Sequence, residues 1–575
     1  MRLLPAFLSK TPRTAKTAGA AAPARKARVR SPGDVTSGRV VLAMLAFGLV
    51  YGAIITRLVL LGVADEATGG LGSRGMTASS RPDILDRNGE VLATDIKTAS
   101  LYAEPRRVVD PDEATEMLAS VLPELGNDKV RTALSSQAGF LWLKREVTPE
   151  QQEQIFNLGI PGIKFESESR RFYPGGRTVG YVTGHVNIDN KGIAGIEKYV
   201  DDQWLGDLHA LGFASTPNLE PIRLAMDLRV QHVVHHEIAT GMQRYHAIAA
   251  AGIVLNAKTG EVVAMTSVPD YDPNNPAEAL DPNRLNRASA GVFEMGSTFK
   301  LFTTAMALDS GLVRLNDSFD ARSALRVGGF TINDFHGKHR VLTVPEIFIY
   351  SSNIGTARQA LKVGLKGQQE FLKRIGLMDK VPTELPEVAL PILPRRWSDL
   401  VGITVSFGHG ISVTPLATAV AAAAIMNGGY LLPPTFFPRS EAEAQSIGKR
   451  VLSEQTSKEM RYLMRLNVTK GSGKRADVPG YRVGGKTGTA EKVVNGRYSS
   501  NKRRNAFIAA FPIEDPEYLV LVVLDEPEPE KPGMGATAGV NTAQMAGAII
   551  SRVAPMLGVT PRFDNDGEQP IAVNY

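Results

Sequence analysis

Residues 292–308 read VFEMGSTFKLFTTAMAL: a serine, Ser297, is followed three positions later by Lys300, and no further charge comes before Asp309. On a helix, positions three apart share a face, one turn from each other. A serine hydroxyl is a poor nucleophile until a base removes its proton, and a lysine is ordinarily protonated and useless for that task. Among side chains such as Leu301, Phe302 and Met306 an ammonium loses its solvation, and its pKa falls. The positive end of the helix dipole pushes the same way. The stretch therefore predicts a buried helix whose first turn carries a nucleophilic serine and the lysine that activates it. Gly296, just ahead of the serine, is expected to let a substrate backbone come close.

Taken alone the spacing is weak, since a chain of this length holds roughly two such pairs by chance. It recurs at Ser446 with Lys449 and at Ser499 with Lys502, both in polar surroundings with no apolar run behind them. Two further motifs single out Ser297. Ser351-Ser352-Asn353 follows the helical stretch VPEIFIY, and GGKTGTAEK carries Lys486, Thr487, Gly488 and Thr489 on a predicted strand. A second SSN at 499–501 comes after that strand, in the basic turn NGRYSSNKRRN, so chain order and context favour Ser351 and Asn353. The ordered set SxxK, SxN, KTG is the signature of active-site serine penicillin-binding proteins and β-lactamases.

Each motif meets a chemical demand. A peptide that ends in a carboxylate needs a cation and hydroxyl donors, which Lys486, Thr487 and Thr489 supply. Gly488 is expected to keep the strand open for substrate to pair along it. The backbone N–H groups of Ser297 and Thr489 are the candidates for holding a tetrahedral oxyanion. Ser351 is placed to pass a proton between Lys300 and a departing amine, and Asn353 to orient the substrate amide.

The composition narrows the remaining possibilities. The chain has 575 residues, 43% hydrophobic and 22% charged, enough for three or four domains. It has no cysteine, which excludes disulfides, thiolate zinc sites and cysteine nucleophiles, and its nine histidines form no ligand-like cluster. No metal or cofactor is expected. The net charge of +6 does not point to nucleic acid, because nine basic residues against Asp34 crowd the first 39 positions and leave the rest slightly acidic. An uncharged run from Val40 to Thr56, then Arg57 and LVLLGV to Val63, is about long enough to cross a bilayer. Its basic flank sets the N-terminus in the cytoplasm. The basic region and the apolar run are both too long for a cleaved signal peptide, so an uncleaved anchor is expected.

The expected organisation is a basic cytoplasmic tail (1–38), a transmembrane helix (39–63) and a glycine-rich linker (64–80). A noncatalytic α+β pedestal (81–222) follows, opened by a hairpin at Asn88-Gly89. Next come a catalytic domain (223–560) and a polar tail (561–575). Strand patterns at both ends of the catalytic region (AAGIVLNAKTGEVVAMTSV, NAFIAAFPI, EYLVLVVLDEP) enclose a helical middle. That arrangement predicts one antiparallel sheet assembled from distant parts of the chain and flanked by helices. The fold class is α+β, multidomain.

Beyond the three motifs, DRNGEVLA, RRFYPGGRTVGYVTGHV, GIAGIEKYVDD, NAKTGEVVAMTSVPDYDPN, NRASAGVFEMGSTFK and FGHGISVTPL match in order, and from Arg81 to about Leu557 the chain resembles the class B penicillin-binding proteins. The resemblance implies a single-pass anchor in the bacterial inner membrane with the bulk of the chain periplasmic, an elongated pedestal, and a transpeptidase domain of the penicilloyl-serine fold with an all-helical subdomain. It further implies that Ser297 attacks the penultimate D-Ala carbonyl of a peptidoglycan stem peptide, that an amine of a neighbouring stem resolves the acyl-enzyme, and that β-lactams acylate the same serine. No glycosyltransferase domain is expected. The short tail and compact pedestal resemble the septal, FtsI-type branch more than the elongation-type enzymes, which implies an FtsW-type glycosyltransferase and other division proteins as partners. A D,D-carboxypeptidase or β-lactamase would need an activated water, and no acidic residue can be assigned that role. The chain departs from the family pattern at Met295, where proline is usual and whose loss should loosen the turn before the nucleophile, and in TAGVNTAQMAGAII, a divergent terminal helix.

Overall fold

The computed structural model describes residues 81–205, 220–494 and 496–563, together with Met44, Phe47, Gly48, Tyr51 and Gly52, which are helical. The chain divides into an amino-terminal unit, Met1–Arg74, and a unit spanning Gly75–Tyr575. The expected cytoplasmic tail, most of the expected membrane segment, the linker and nearly all of the polar C-terminal tail lie outside the described residues. Among the described residues no helix is long and apolar enough to cross a membrane.

A strand covered on both faces has no need to alternate polar and apolar residues, and Tyr518–Asp525 (YLVLVVLD) is buried at every position. It is the central strand of a five-stranded antiparallel sheet. The order across the sheet is Gly484–Val494, Arg497–Phe511, Tyr518–Asp525, Ala249–Asn256 and Val262–Val268. As expected, its two halves come from opposite ends of the catalytic region. Because successive side chains point to opposite faces, Leu519, Leu521 and Val523 join one core cluster and Val520, Val522 and Leu524 another. Helices Leu228–Arg244 and Thr542–Met556 cover the second face. The divergent terminal stretch thus still forms the closing helix.

The first face is covered by the helical insertion, with Pro415–Met426 at its centre. Every residue of that helix is buried. Its many alanines let neighbouring backbones approach closely, and the nucleophile helix Phe299–Asp309, buried from Phe299 to Leu308, packs into the same core. The insertion is not all-helical. It also carries two-stranded pairs, Ser318–Asp320 with Val341–Thr343 and Leu325–Val327 with Phe330–Ile332. The second pair turns through Gly328 and Gly329, both at positive φ (56° and 80°), as a two-residue hairpin loop demands.

In the pedestal, Val91–Ala103 pairs with Ile84–Leu85, Leu141–Val147 and Ile163–Phe172. Ile222–Arg223 returns to pair in parallel with Ile84–Leu85, so the pedestal sheet reaches Arg223, one residue past the expected boundary. Beneath it lies a buried ionic network. Glu197 Oε2 accepts from Arg81 Nε at 2.9 Å and Oε1 from Arg171 Nε at 2.6 Å, while Arg171 Nη1 donates to Asp95 at 3.1 Å. Two guanidinium groups share one carboxylate that is only 1% exposed, so removing it leaves both cations buried and underpaired. Glu197→Ala should weaken the pedestal by about 3–5 kcal/mol, read as faster hydrogen exchange in strands Val91–Ala103 and Ile163–Phe172. Exchange at the wild-type rate would contradict this role for the network.

Candidate active site

Ser297 lies on a 3-10 turn, Gly296–Thr298, and the α-helix proper begins at Phe299. Serine and lysine therefore straddle a tightened first turn and do not sit on one continuous α-helix. The turn does not depend on the proline that Met295 replaces. Thr298 Oγ1 donates to the Met295 carbonyl at 2.7 Å, and the Met295 side chain is buried in the core.

The glycines around the nucleophile serve the protein's own packing. A Cβ on Gly296 would lie 2.7 Å from Thr489 O, one on Gly408 would lie 2.1 Å from Gly296 O, and one on Gly488 would lie 2.5 Å from Thr298 Cγ2 and 2.8 Å from Met295 O. Three backbones meet here: the nucleophile turn, the FGHG loop and the KTG strand. The space a side chain would take at Gly296 and Gly488 is filled by neighbouring backbone and by Thr298. The contact brings the nucleophile turn up against Thr489, the two residues proposed to hold an oxyanion.

Lys300 is 1% exposed and Lys486 is fully buried. Lys300 Nζ donates to Ser351 O at 2.5 Å and to Ser351 Oγ at 3.1 Å, and Lys486 Nζ donates to the same Oγ at 3.1 Å and to Thr487 O at 3.0 Å. Burial holds Lys300 well below the ordinary lysine range, the neighbouring Lys486 adds to the fall, and Asp334 partly opposes it. Burial also pushes Lys486 down to about 7. A neutral amine has two N–H bonds and one lone pair. In Lys300 both N–H bonds are taken by Ser351, which leaves the lone pair for the Ser297 proton. Among the described residues Ser297 Oγ makes no hydrogen bond, to Lys300 Nζ included.

Ser351 owes its position to the way two helices end and begin. Val344–Tyr350 starts with a capping box between Thr343 and Glu346 and with Pro345 in its first turn. It stops at Ser351, which adopts φ +54°, a conformation that costs a non-glycine residue about 1–2 kcal/mol. Ser352 then caps Asn353–Val363, accepting from Gly355 N at 2.9 Å. Asp334 secures this corner, accepting from Ser352 Oγ at 2.7 Å and from Ile354 N at 2.9 Å. Asn353 Nδ2 donates to Asn333 O at 2.9 Å, so one side of its amide anchors the loop and its Oδ1 is left for a ligand. Asp334 was not singled out in the sequence, where INDF reads as an ordinary polar turn.

The KTG strand is an edge strand, paired on one side only. Thr487 Oγ1 lies 2.6 Å from Ser472 Oγ, Asn467 Oδ1 accepts from Ser472 Oγ at 3.2 Å, and Asn467 Nδ2 donates to Gly485 O at 2.7 Å. Thr489 Oγ1 accepts from Ala538 N at 3.4 Å. Thr487 and Thr489 hydroxyls are thus oriented by neighbours missed in the sequence, Ser472 and Asn467 among them. Ser297, Lys300, Ser351 and the KTG residues converge. The other SxxK pairs stay outside this cluster: Ser446 Oγ donates to Glu443 O on the surface, and Lys502, half exposed, pairs with Glu526.

Comparison with known proteins fits this arrangement. Residues 250–551 match the penicillin-binding protein transpeptidase domain, and residues 76–207 the penicillin-binding protein dimerisation domain. The chain is 39% identical to a probable peptidoglycan D,D-transpeptidase FtsI of Caulobacter vibrioides, over 92% of this chain and 90% of that one. It is 30% identical to the peptidoglycan D,D-transpeptidase FtsI of Escherichia coli K12, over 86% of each chain. In fold it is similar to penicillin-binding protein 3 of Mycobacterium tuberculosis, solved with aztreonam, with a TM-score of 0.64 at 23% identity over 84% of this chain and 97% of that one.

Two outcomes follow from the buried lysine pair. Lys300→Arg keeps a cation but cannot surrender a proton, so labelling by a fluorescent penicillin should be lost while the thermal unfolding transition survives; normal labelling would contradict the base assignment. The base works only when neutral, so acylation is supported above the pKa of the pair and lost as pH falls through it. With burial holding Lys300 well below the ordinary lysine range, acylation should persist at pH values well under that range and be lost as pH falls through the depressed pKa, and a rate that rises only toward the ordinary lysine pKa would contradict it.

Proposed function

The chain belongs to the class B penicillin-binding proteins of FtsI type, and we propose that it is a peptidoglycan D,D-transpeptidase that crosslinks stem peptides in the septal wall of a dividing bacterium. The observation that carries the reading is the single Ser351 hydroxyl hydrogen-bonded to two buried lysines beside Ser297. Lys300 takes the Ser297 proton as Oγ attacks the penultimate D-Ala carbonyl of the donor stem. Backbone N–H groups of Ser297 and Thr489 receive the oxyanion; each such donor is worth about a hundredfold or more in rate. The proton then travels from Lys300 through Ser351 Oγ to the departing D-Ala amine, and the carbonyl stays on Ser297 as an ester. Lys486, Thr487 and Thr489 hold the donor's terminal carboxylate, and the Asn353 amide orients its backbone. An amine from a second stem attacks the ester, and the reverse proton path restores Ser297.

In this reading the amino-terminal apolar segment anchors the protein in the inner membrane. The pedestal, residues 81–222, sets the catalytic domain, residues 223–560, away from the bilayer, and an FtsW-type glycosyltransferase supplies the glycan strands. A β-lactam presents its ring carbonyl to the same serine and forms the same ester.

Incubation with labelled penicillin should give an adduct on Ser297 that persists for many minutes and is absent in Ser297→Ala. Rapid turnover of the adduct would favour a carboxypeptidase or β-lactamase instead. A fluorescent fusion should gather at midcell, and a sidewall distribution would turn the role to elongation.

A further inference from the structure

One cluster beside the nucleophile has no part in the donor chemistry. Glu294, three residues before Ser297, accepts from Gly410 N at 2.7 Å and from Tyr498 OH at 3.0 Å. Both bonds fall on Oε1, so Oε2 is the oxygen left for a ligand. His409 is fixed between these partners. Gly296 N donates to Gly408 O at 3.2 Å and His409 N to Thr404 O at 3.0 Å, which ties the FGHG loop to the nucleophile turn. The His409 ring meets Tyr498 edge-on at 5.3 Å and Phe407 at 5.6 Å. Among the described residues its Nδ1 is buried with no hydrogen-bond partner, and Nε2 is the ring nitrogen a ligand would meet. The charged and titratable groups facing the ring are Glu294, Lys300, Glu491 and Tyr498. Burial lowers the His409 pKa and Glu294 opposes the fall, which favours the neutral ring.

The second half-reaction poses a difficulty that this cluster resolves. The attacking amine arrives as an ammonium and is not nucleophilic until it loses a proton. It must also approach a centre whose buried lysines are already starved of solvent, where a further cation is disfavoured. A carboxylate and a neutral imidazole beside the serine answer both needs. Resting on the transpeptidase reading above, we propose that Glu294 and His409 form the acceptor side of the site, with Glu294 Oε2 binding the ammonium of the second stem and His409 Nε2 taking its proton. The step balances. R–NH3+ and imidazole become R–NH2 and imidazolium, the amine lone pair forms the C–N bond at the acyl carbon, and the bond from that carbon to Ser297 Oγ breaks. The second proton leaving nitrogen passes through Lys300 to Ser297 Oγ, and the imidazolium releases its proton to solvent.

The test uses the full-length protein in detergent with an acyl-D-alanyl thioester as donor and D-alaninamide as acceptor, measuring amide formed against acid formed. In Glu294→Gln and His409→Gln, penicillin labelling of Ser297 should fall by less than about threefold, while the amide-to-acid ratio should fall at least tenfold, in keeping with the roughly hundredfold or larger contribution of a positioned base. Glu294→Gln should raise the acceptor KM. In His409→Gln the ratio should climb with pH along the acceptor's own ionisation, since only amine already free in solution can then attack. Wild-type ratios in both variants would overturn the proposal. A wild type that only hydrolyses the donor, or that forms no acyl-enzyme, would instead remove the transpeptidase reading beneath it.

Discussion

Two amines share one hydroxyl in a place where neither can keep its water. Lys300 and Lys486 are both buried, both bonded to Ser351 Oγ, and among the described residues no carboxylate accepts a hydrogen bond from either Nζ. In water such a pair would be doubly charged and repel. Here desolvation and mutual repulsion act in the same direction, and at least one amine must be neutral. A lysine base is the chemical result. Lys300 stands on the nucleophile helix, buried from Phe299 to Leu308, so the packing of that helix into the core has a catalytic consequence.

The constraint extends to backbone geometry. Ser351 reaches the amines from a left-handed corner between two helices, and its strain is held in check by the Lys300 bond to its carbonyl and by the Asp334 bonds to the next turn. The Gly296, Gly408 and Gly488 contacts allow three backbones to meet around Ser297, with the Thr298 side chain packed against Gly488. Rigid elements position each group: a helix start for Ser297 and Lys300, a helix corner for Ser351, and an edge strand for Lys486, Thr487 and Thr489.

Much of this was legible in the sequence because the signals were local. The apolar run behind Lys300 announced a buried lysine, and chain order separated Ser297 from two chance copies of its spacing. The strands Ala249–Asn256 and Tyr518–Asp525 were readable from their apolar runs, although nothing in either stretch says that they lie side by side. What escaped was the support supplied from elsewhere in the chain. Asp334, Asn467 and Ser472 act through contacts across sequence separations that no periodicity records, and each stands in a stretch that reads as an ordinary polar turn or helix end. The glycines were seen, but not the backbone that packs against them, because a sequence shows where a side chain is missing and not which neighbour occupies the space. The buried pair Arg81 and Arg171 on Glu197 was hidden for the same reason, since burial of a charge is a property of the assembled pedestal.

The central claim is that Lys300 is neutral at the pH where the protein works. Lysine-selective 15N labelling, with the Nζ resonance of Lys300 assigned by its loss in Lys300→Arg and followed through a pH titration, measures this directly. The account predicts a midpoint well below that of an ordinary lysine, and a rise when Lys486→Met removes the neighbouring amine. A Lys300 that stays protonated up to the ordinary lysine range would contradict it.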